Sequence, residues 1–166
     1  IDACKATAVI CTARFAPSVP HRCARLVVQD GREALHQALR LLHPPPSLQP
    51  PPVGVHASAV IDPTAVVHAS ARIGPLVCIG PDARVGEDAV LHAGVVLGAA
   101  AHVQAHATLG PRAVVLDRCV VGANVWIGPG AVVGSVGFGL DAEGRLPHIG
   151  RVVIGQAASV GANSCI

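Results

Sequence analysis

Aliphatic residues recur at every sixth position over a long stretch of the chain, from Val55 to Val133. If roughly a third of such a segment is aliphatic, an unbroken run of this length would arise by chance far less than once in about a million segments. A period of six fits neither a helical turn nor the alternation of a simple strand, and it is typical of a parallel β-helix. The positions of this column are Val55, Ile61, Val67, Ile73, Ile79, Val85, Leu91, Leu97, Val103, Leu109, Val115, Val121, Ile127 and Val133.

Two further columns keep the same step. The position after the aliphatic residue is often glycine, and the fourth position after it is small or slim. Each hexad is therefore predicted to form one short strand and one turn. The aliphatic side chain would point inward, and the small residue would let the next wall of the β-helix approach closely. Glycine or proline would supply the dihedral angle of the turn. Three hexads would close one coil, so residues about 18 positions apart would stack at roughly 4.8 Å.

The first 43 residues follow a different pattern. Residues 6–11 and 25–29 predict two short strands, and 31–43 carries apolar residues at helical spacing. Residues 1–43 are typical of the C-terminal part of a small α/β module. A proline-rich linker at 44–54 leads to the β-helix at 55–166. Two strands and one helix bury too little surface to fold alone and the chain contains no Met, so we expect a piece of a longer polypeptide.

The repeat is interrupted after Val133 and resumes at Ile154, 21 positions later, which is three more than one coil. We therefore expect residues 135–152 to loop out of the β-helix, and such loops commonly carry function. Phe138 lies in this loop beside Gly139, and an aromatic lid and a ligand contact are equally supported. His148 is the imidazole that we would place near a substrate; its alternative role is to cap a backbone carbonyl group.

Composition excludes several classes of function. Charged residues make up 13% of the chain and the formal net charge is +2, so no basic footprint for nucleic acid is present. The sequence predicts neither a membrane span nor a signal peptide. The six cysteines form no CxxC pair and sit in apolar columns, which favours small buried thiols in a reducing, cytoplasmic compartment.

Nine histidines raise the question of a metal site, but their spacing argues against one. His56 and His92 share a column but are 36 positions apart, which corresponds to two coils. Their side chains would then be separated by about 10 Å, which is too far for both to bind one metal ion. His102 and His106 occupy different columns, and a zinc ion between subunits would need a third histidine from a neighbour. Exposed turn positions are therefore favoured over metal ligation. The sequence also lacks a nucleophile motif and a phosphate-binding glycine loop.

The hexads, the module before them and the loop together resemble the UDP-3-O-acylglucosamine N-acyltransferases of lipid A biosynthesis. The resemblance covers nearly the whole chain and implies a left-handed parallel β-helix preceded by the end of a uridine-binding module. The segments that carry it are KATAVIC at 5–11, RLVVQD at 25–30, VHASAVIDPTA at 55–65, VVGSVGFG at 132–139 and LPHIGRVVIG at 146–155.

This resemblance implies transfer of a 3-hydroxyacyl group from acyl carrier protein to the amine of UDP-3-O-acylglucosamine. It implies no cofactor, and a homotrimer with active sites between neighbouring β-helices. A general-base histidine and oxyanion donors would carry the chemistry. The family places that histidine beyond Ile166, so no catalytic residue is assigned and residues 1–166 alone are expected to be inactive. The substrate-binding candidates are Phe138, Gly139 and His148; Val136 and Leu140 depart from the family's Asp and aromatic residue.

Two other functions remain open from the residues. One is a UDP-N-acetylglucosamine O-acyltransferase, or another hexapeptide acyl- or acetyltransferase, although that O-acyltransferase family usually begins directly with hexads and lacks a module such as 1–43. The other is a non-enzymatic β-helix that serves as a rigid assembly scaffold, which the missing catalytic histidine favours for this chain in isolation. An acyl-transfer assay would separate these functions.

Overall fold

The computed structural model describes residues 5–42, 48–137, 139–141, 144–145 and 147–166. The chain divides into two compact units, Ile1–Ser47 and Leu48–Ile166. In the part of the chain that is described, no helix has both the length and the apolar character needed to cross a membrane.

The first unit contains two parallel strands and one helix. Strands β1 (Ala8–Thr12) and β2 (Ala24–Val28) pair in parallel, and a short 3-10 helix spans Ala16–Ser18. Helix α1 (Gly31–Leu42) follows Asp30, whose carboxylate accepts hydrogen bonds from the N–H groups of Arg32 and Glu33. The predicted strands and helix are confirmed to within two residues at each end; His43 lies outside the described residues.

The second unit is a parallel β-helix with three faces. Its strands are two residues long, and most pair with strands 18 positions away, as Val96 does with Val114, so the coil of three hexads is confirmed. The first face comprises β3 (Gly54–Val55), β6 (Arg72–Ile73), β9 (Val90–Leu91), β12 (Thr108–Leu109), β15 (Trp126–Ile127) and β20 (Ser159–Val160). The second face comprises β4 (Val60–Ile61), β7 (Cys78–Ile79), β10 (Val96–Leu97), β13 (Val114–Val115) and β16 (Val132–Val133). The third face comprises β5 (Val66–Val67), β8 (Arg84–Val85), β11 (His102–Val103), β14 (Val120–Val121) and β19 (Val153–Ile154).

The aliphatic column forms the core of this unit. From Ile73 to Val133, every residue of the column is at most 3% exposed, and the small residues of the second column, from Val77 to Ala131, are buried equally well. Val55 differs from the prediction, because its side chain is 53% exposed. It lies in the first coil, where each strand has a neighbour on one side only. Ile61 and Val67, in the same coil, are partly buried for the same reason.

The turns use a different residue from the one predicted. Left-handed backbone conformation falls on the third residue after the aliphatic one, for example on Arg112 (φ 59°) and Asn124 (φ 57°). This conformation costs a non-glycine residue about 1–2 kcal/mol. A hydrogen bond between coils offsets the cost, as when the Arg112 N–H donates to the Ala93 carbonyl at 2.9 Å. In the glycine column only Gly134 has a positive φ, so the expectation that this column supplies the turn dihedral is wrong.

The interruption after β16 is longer than the repeat pattern suggested. Ile154 pairs with Val121, which lies 33 positions earlier instead of 18, so the insertion adds 15 residues to one hexad. Ile154 therefore belongs to the hexad that directly follows the hexad of Val133. The sequence pattern had suggested that one whole coil and three extra residues separate the two, and that prediction is wrong. The sequence pattern could not distinguish these cases, because a break in phase does not show how many hexads a gap replaces.

Cysteine exposure also differs from the expectation of small buried thiols. Cys23 and Cys119 are buried, but Cys78 and Cys165 are exposed. Cys78 takes the outward position of its strand, opposite to the core-facing Ile79, and alternating side chains of a strand point to opposite faces. The expectation is therefore wrong for these two residues.

Candidate functional site

The insertion between β16 and β19 is anchored to the β-helix at both ends. Within it, β17 (Leu140–Asp141) and β18 (Gly144–Arg145) pair as an antiparallel hairpin. On one side the Gly134 N–H donates to the Ile166 carbonyl at 2.8 Å. On the other side the Val120 N–H donates to the Val152 carbonyl at 2.9 Å. The chain therefore leaves and rejoins the coils at fixed points.

His148 lies where the two arms of the insertion meet. A Cβ atom placed on Gly137 would come within 2.9 Å of His148 Cε1, so only a residue without a side chain allows the ring to pack there undisturbed. The imidazole is exposed and makes no hydrogen bond to any other described residue. A carbonyl-capping role therefore finds no acceptor in the described part of the chain, and both ring nitrogens are available to a ligand.

Two small cavities share the His148 side chain. One, of about 210 Å³, extends toward the preceding coil, and the other, of about 220 Å³, extends toward Ile166. Gly134, His148 and Gly150 line both, so the imidazole separates two adjoining hollows. The first is also lined by Leu116, Asp117, Arg118 and Val136, and the second by Ser135, Arg151, Val152 and Ile166.

Gly134 lines both cavities and has no room for a side chain. Its φ of +89° is unfavourable for residues with a side chain, and a Cβ atom there would collide with the Cys119 sulfur. Cys119 Sγ in turn accepts a hydrogen bond from the Val152 N–H at 3.4 Å, which ties the returning arm to the wall below. The local sequence thus excludes a side chain where the cavities meet.

The three substrate-binding residues predicted from the sequence differ in their position relative to the cavities. His148 lines both cavities. Gly139 is half-buried directly before β17 and lines neither of them. Phe138 lies outside the described residues. Val136 and Leu140, the two departures from the family pattern, are 51% and 62% exposed, and Val136 borders the first cavity.

Sequence reasoning missed Leu116, Asp117 and Arg118, which come from the preceding coil. The sequence contained one indication of this site: Leu116 occupies a position that is often glycine in the other hexads. Asp117 Oδ1 accepts a hydrogen bond from the Ala99 N–H at 2.9 Å, so that carboxylate is engaged by the scaffold. Arg118 and Arg151 give the surroundings of His148 a positive charge, which suits an anionic or polar ligand.

Among the described residues, the two groups with a displaced pKa lie outside these cavities. Burial lowers the pKa of His92, and hydrogen bonds from the Thr64 hydroxyl and N–H groups lower the pKa of Asp62. Among the residues that the structure describes, no three His, Cys, Asp or Glu side chains lie close enough to hold a metal ion. The arrangement around His148 can donate and accept hydrogen bonds, and no carboxylate of a described residue makes a hydrogen bond that would orient the imidazole as a base.

Comparison with known proteins identifies relatives. The bacterial transferase hexapeptide family (six repeats) matches residues 64–99. The chain is 55% identical over 145 residues to UDP-3-O-acylglucosamine N-acyltransferase of Xanthomonas euvesicatoria pv. vesicatoria, which covers 85% of this chain and 42% of that protein. It is 41% identical over the same length to the protein of that name from Xanthomonas axonopodis pv. citri, with the same coverage.

The chain thus spans less than half the length of these curated relatives. Among solved structures, a variant of perosamine N-acetyltransferase from Caulobacter crescentus, in complex with CoA and GDP-perosamine, is 26% identical. The alignment covers 61% of this chain and 55% of that one, with a TM-score of 0.29, which is too low to support an argument. The chain thus contains a match to the bacterial transferase hexapeptide repeat within its β-helix, and it is similar over 85% of its length to UDP-3-O-acylglucosamine N-acyltransferases.

Proposed function

We propose that this polypeptide contributes to an N-acyltransferase that moves a 3-hydroxyacyl group from acyl carrier protein to the amine of UDP-3-O-acylglucosamine. The observation that carries the proposal is the 55% identity, over 145 residues, to a protein of that name. In the proposed step the amine nitrogen attacks the thioester carbonyl carbon. The new C–N bond forms, the C–S bond breaks and the carrier leaves as a thiolate, while a general base takes the amine proton and passes it to the departing sulfur.

The acceptor would bind in the cavities around His148. Its exposed imidazole has no partner among the described residues and can hydrogen-bond the sugar. The proposal keeps Phe138 and Gly139 as further acceptor contacts. No histidine within residues 1–166 is assigned as the general base. Asp117 lines one cavity together with His148, but its carboxylate accepts a hydrogen bond from the Ala99 N–H and makes none with the imidazole.

We propose a homotrimer assembled through the second face of the β-helix. The outward residues of that face are all apolar or cysteine, whereas the other two faces carry Arg72 and Thr108 or Arg84 and His102. An apolar column that is partly exposed in the single chain suits burial against further copies of itself. The outward column of the second face comprises Val60, Cys78, Val96, Val114 and Val132.

A cytoplasmic location completes the proposal. Cys11, Cys23, Cys78, Cys119 and Cys165 are free thiols, as a reducing compartment favours.

A chimera tests the activity. Residues 1–166 would replace the corresponding segment of the Xanthomonas euvesicatoria relative, and transfer from 3-hydroxyacyl carrier protein would be measured by mass spectrometry. We expect N-acylation of UDP-3-O-acylglucosamine by the chimera and no turnover by residues 1–166 alone. A folded chimera that instead acylates the hydroxyl group of UDP-N-acetylglucosamine, or acylates neither acceptor, would contradict the proposal.

The same chimera tests the role of His148. His148→Ala is expected to raise KM for the acceptor about tenfold, as the loss of one good hydrogen bond predicts. Ile149→Ala is the matched control, because Ile149 is 85% exposed in the same arm and lines neither cavity. Equal effects of both substitutions would remove His148 from the acceptor site.

A further inference from the structure

A groove rich in arginine lies on the third face of the β-helix, next to the cavities around His148. It has a volume of about 380 Å³, and its lining includes Arg84, His102, Arg118 and Arg151. Asp82 is the one acidic residue that lines it. The three arginines outweigh this carboxylate, so the groove carries a net positive charge even with His102 neutral.

Arg118 and Arg151 occupy equivalent places on adjacent coils. Each lies two residues before its strand, and the strands are in register because Val120 pairs with Val153. Adjacent coils are separated by about 4.8 Å. The fold therefore brings two like charges to neighbouring layers of one corner, an arrangement that is unfavourable without an anion between or beside them.

Among the residues that the structure describes, no carboxylate neutralises this pair. Arg84, Arg118 and Arg151 make no side-chain hydrogen bond or ion pair with other described residues. Asp82 lies at the same corner as Arg118, but Ala100 occupies the coil between them. At another corner, where a histidine and an aspartate fall on adjacent coils, the two side chains do approach each other: His106 Nδ1 lies 3.8 Å from Asp88 Oδ2. Unneutralised arginines on adjacent coils point to an external anion.

We propose that Arg118 and Arg151, assisted by Arg84 and His102, bind a phosphate group. Guanidinium groups present planar pairs of N–H donors that match phosphate oxygens, and two of them on adjacent coils can grip one phosphate or a diphosphate. The evidence for the site is the geometry of the groove and does not depend on acyl transfer. The source of the phosphate rests on the proposed function, which offers a sugar-nucleotide diphosphate or the phosphate of a carrier's phosphopantetheine arm.

Titration calorimetry with inorganic pyrophosphate tests the site. Wild-type chain is expected to bind one equivalent, and Arg118→Gln and Arg151→Gln are each expected to weaken binding about tenfold or more. Arg112→Gln is the matched control. Arg112 lies in the same coil and the same turn position as Arg118, with φ of 59° against 61°, and it does not line the groove. Its substitution is expected to leave affinity unchanged within about twofold.

Absence of pyrophosphate binding by the wild-type chain, or equal losses in all three variants, would overturn the proposal. Competition then identifies the source of the phosphate. Displacement of pyrophosphate by UDP-N-acetylglucosamine assigns the site to the acceptor, and displacement by pantetheine 4′-phosphate assigns it to the donor. If neither displaces it, the groove is not a substrate site. Because binding is measured without acyl transfer, an inactive chimera leaves this result unaffected.

Discussion

Several glycines that directly follow the aliphatic residue are required by the neighbouring coil and not by the turn. A Cβ atom on Gly86 would lie 2.8 Å from the backbone nitrogen of Ala105, and one on Gly128 would lie 2.5 Å from that of Ala162. These atoms belong to the next coil and cannot move without shifting the ladder of hydrogen bonds. The column therefore sets how closely successive coils approach.

The loss of stability caused by an alanine substitution in this column should depend on how closely the next coil packs against the substituted position. Gly128→Ala is expected to lower the free energy of unfolding by about 1–3 kcal/mol, as overpacking of a rigid contact does. Gly155→Ala, in the same column but with nothing within 4 Å of its Cβ position, should have little effect. Urea denaturation of both variants measures the difference. Equal stability of the two would show that the coils can separate without cost.

His92 also stands in the glycine column, and it is 6% exposed. Burial lowers its pKa below the ordinary value of 6.5. Between the lowered pKa and pH 6.5 the unfolded chain binds more protons than the folded one, so stability decreases as pH falls. The contribution of neutral His92 is fully present above pH 6.5 and is lost as pH falls through the folded pKa.

Replacement of His92 should therefore flatten the pH dependence. The loss of unfolding free energy between about pH 7.5 and about pH 5 should be smaller in His92→Asn than in the wild-type chain. His36→Asn, at an exposed position of α1, is the control and should retain the wild-type slope. An unchanged slope for His92→Asn in urea titrations would count against this account.

The corners of the first coil share a local motif that closes the β-helix. At each corner a hydroxyl group accepts a hydrogen bond from a backbone N–H 18 positions later; Thr64, for example, accepts from Asp82 at 2.9 Å. A His or Asp two residues earlier holds that hydroxyl, as Asp62 does at 2.7 Å. In later coils backbone carbonyls accept the corresponding bond. The three motifs are His56 with Ser58, Asp62 with Thr64, and His68 with Ser70.

Loss of one hydroxyl should weaken this closure. Thr64→Val keeps the shape of the side chain but removes the acceptor for Asp82 and the donor to Asp62, with an expected loss of about 1 kcal/mol. Thr108→Val is the matched control, because the Thr108 hydroxyl makes no hydrogen bond to another described residue. Hydrogen exchange at the Asp82 amide reports the change locally. Unaltered exchange there would rule out the closing role of Thr64.

At the level of the assembly, the outward side chains distinguish one face of the solenoid from the other two. Val60 on the second face is 68% exposed and Val96 is 38% exposed, and both lie in a column without a charged residue. The third face instead carries the arginine groove and receives the returning arm of the insertion through β19. This division suits a molecule that self-associates through one face and binds ligands on another.

A charge on the apolar face should disrupt the proposed trimer. Glutamate at position 96 would have to be buried without a partner at the interface, so Val96→Glu is expected to sediment as a smaller species than the wild-type trimer. Thr108→Glu, at the outward position of the first face in the next coil, should remain trimeric. Analytical ultracentrifugation distinguishes the two results. A monomeric wild-type chain, or a trimeric Val96→Glu, would exclude this interface.

The repeat pattern predicted the fold well because it records side-chain chemistry at fixed intervals. Leu91, Leu97 and Val103 must be apolar since no water reaches the axis, and their spacing of six gives the three-sided coil directly. The candidate site was less predictable. His148 was identified by its place in a break of the repeat, whereas Arg118 has an ordinary turn position in its own hexad. Its significance arises from Arg151, 33 positions later.

The order and spacing of residues were sufficient to define the inward column, the three-hexad coil and the presence of a loop, since each depends on contacts that recur with one period. Contacts between coils settled the remaining features. They explain why Gly128 must lack a side chain, why Arg112 adopts a left-handed conformation, and why Val55 is exposed although its column is buried elsewhere. They also place Arg118 beside Arg151, because stacking brings together residues that an insertion separates along the chain.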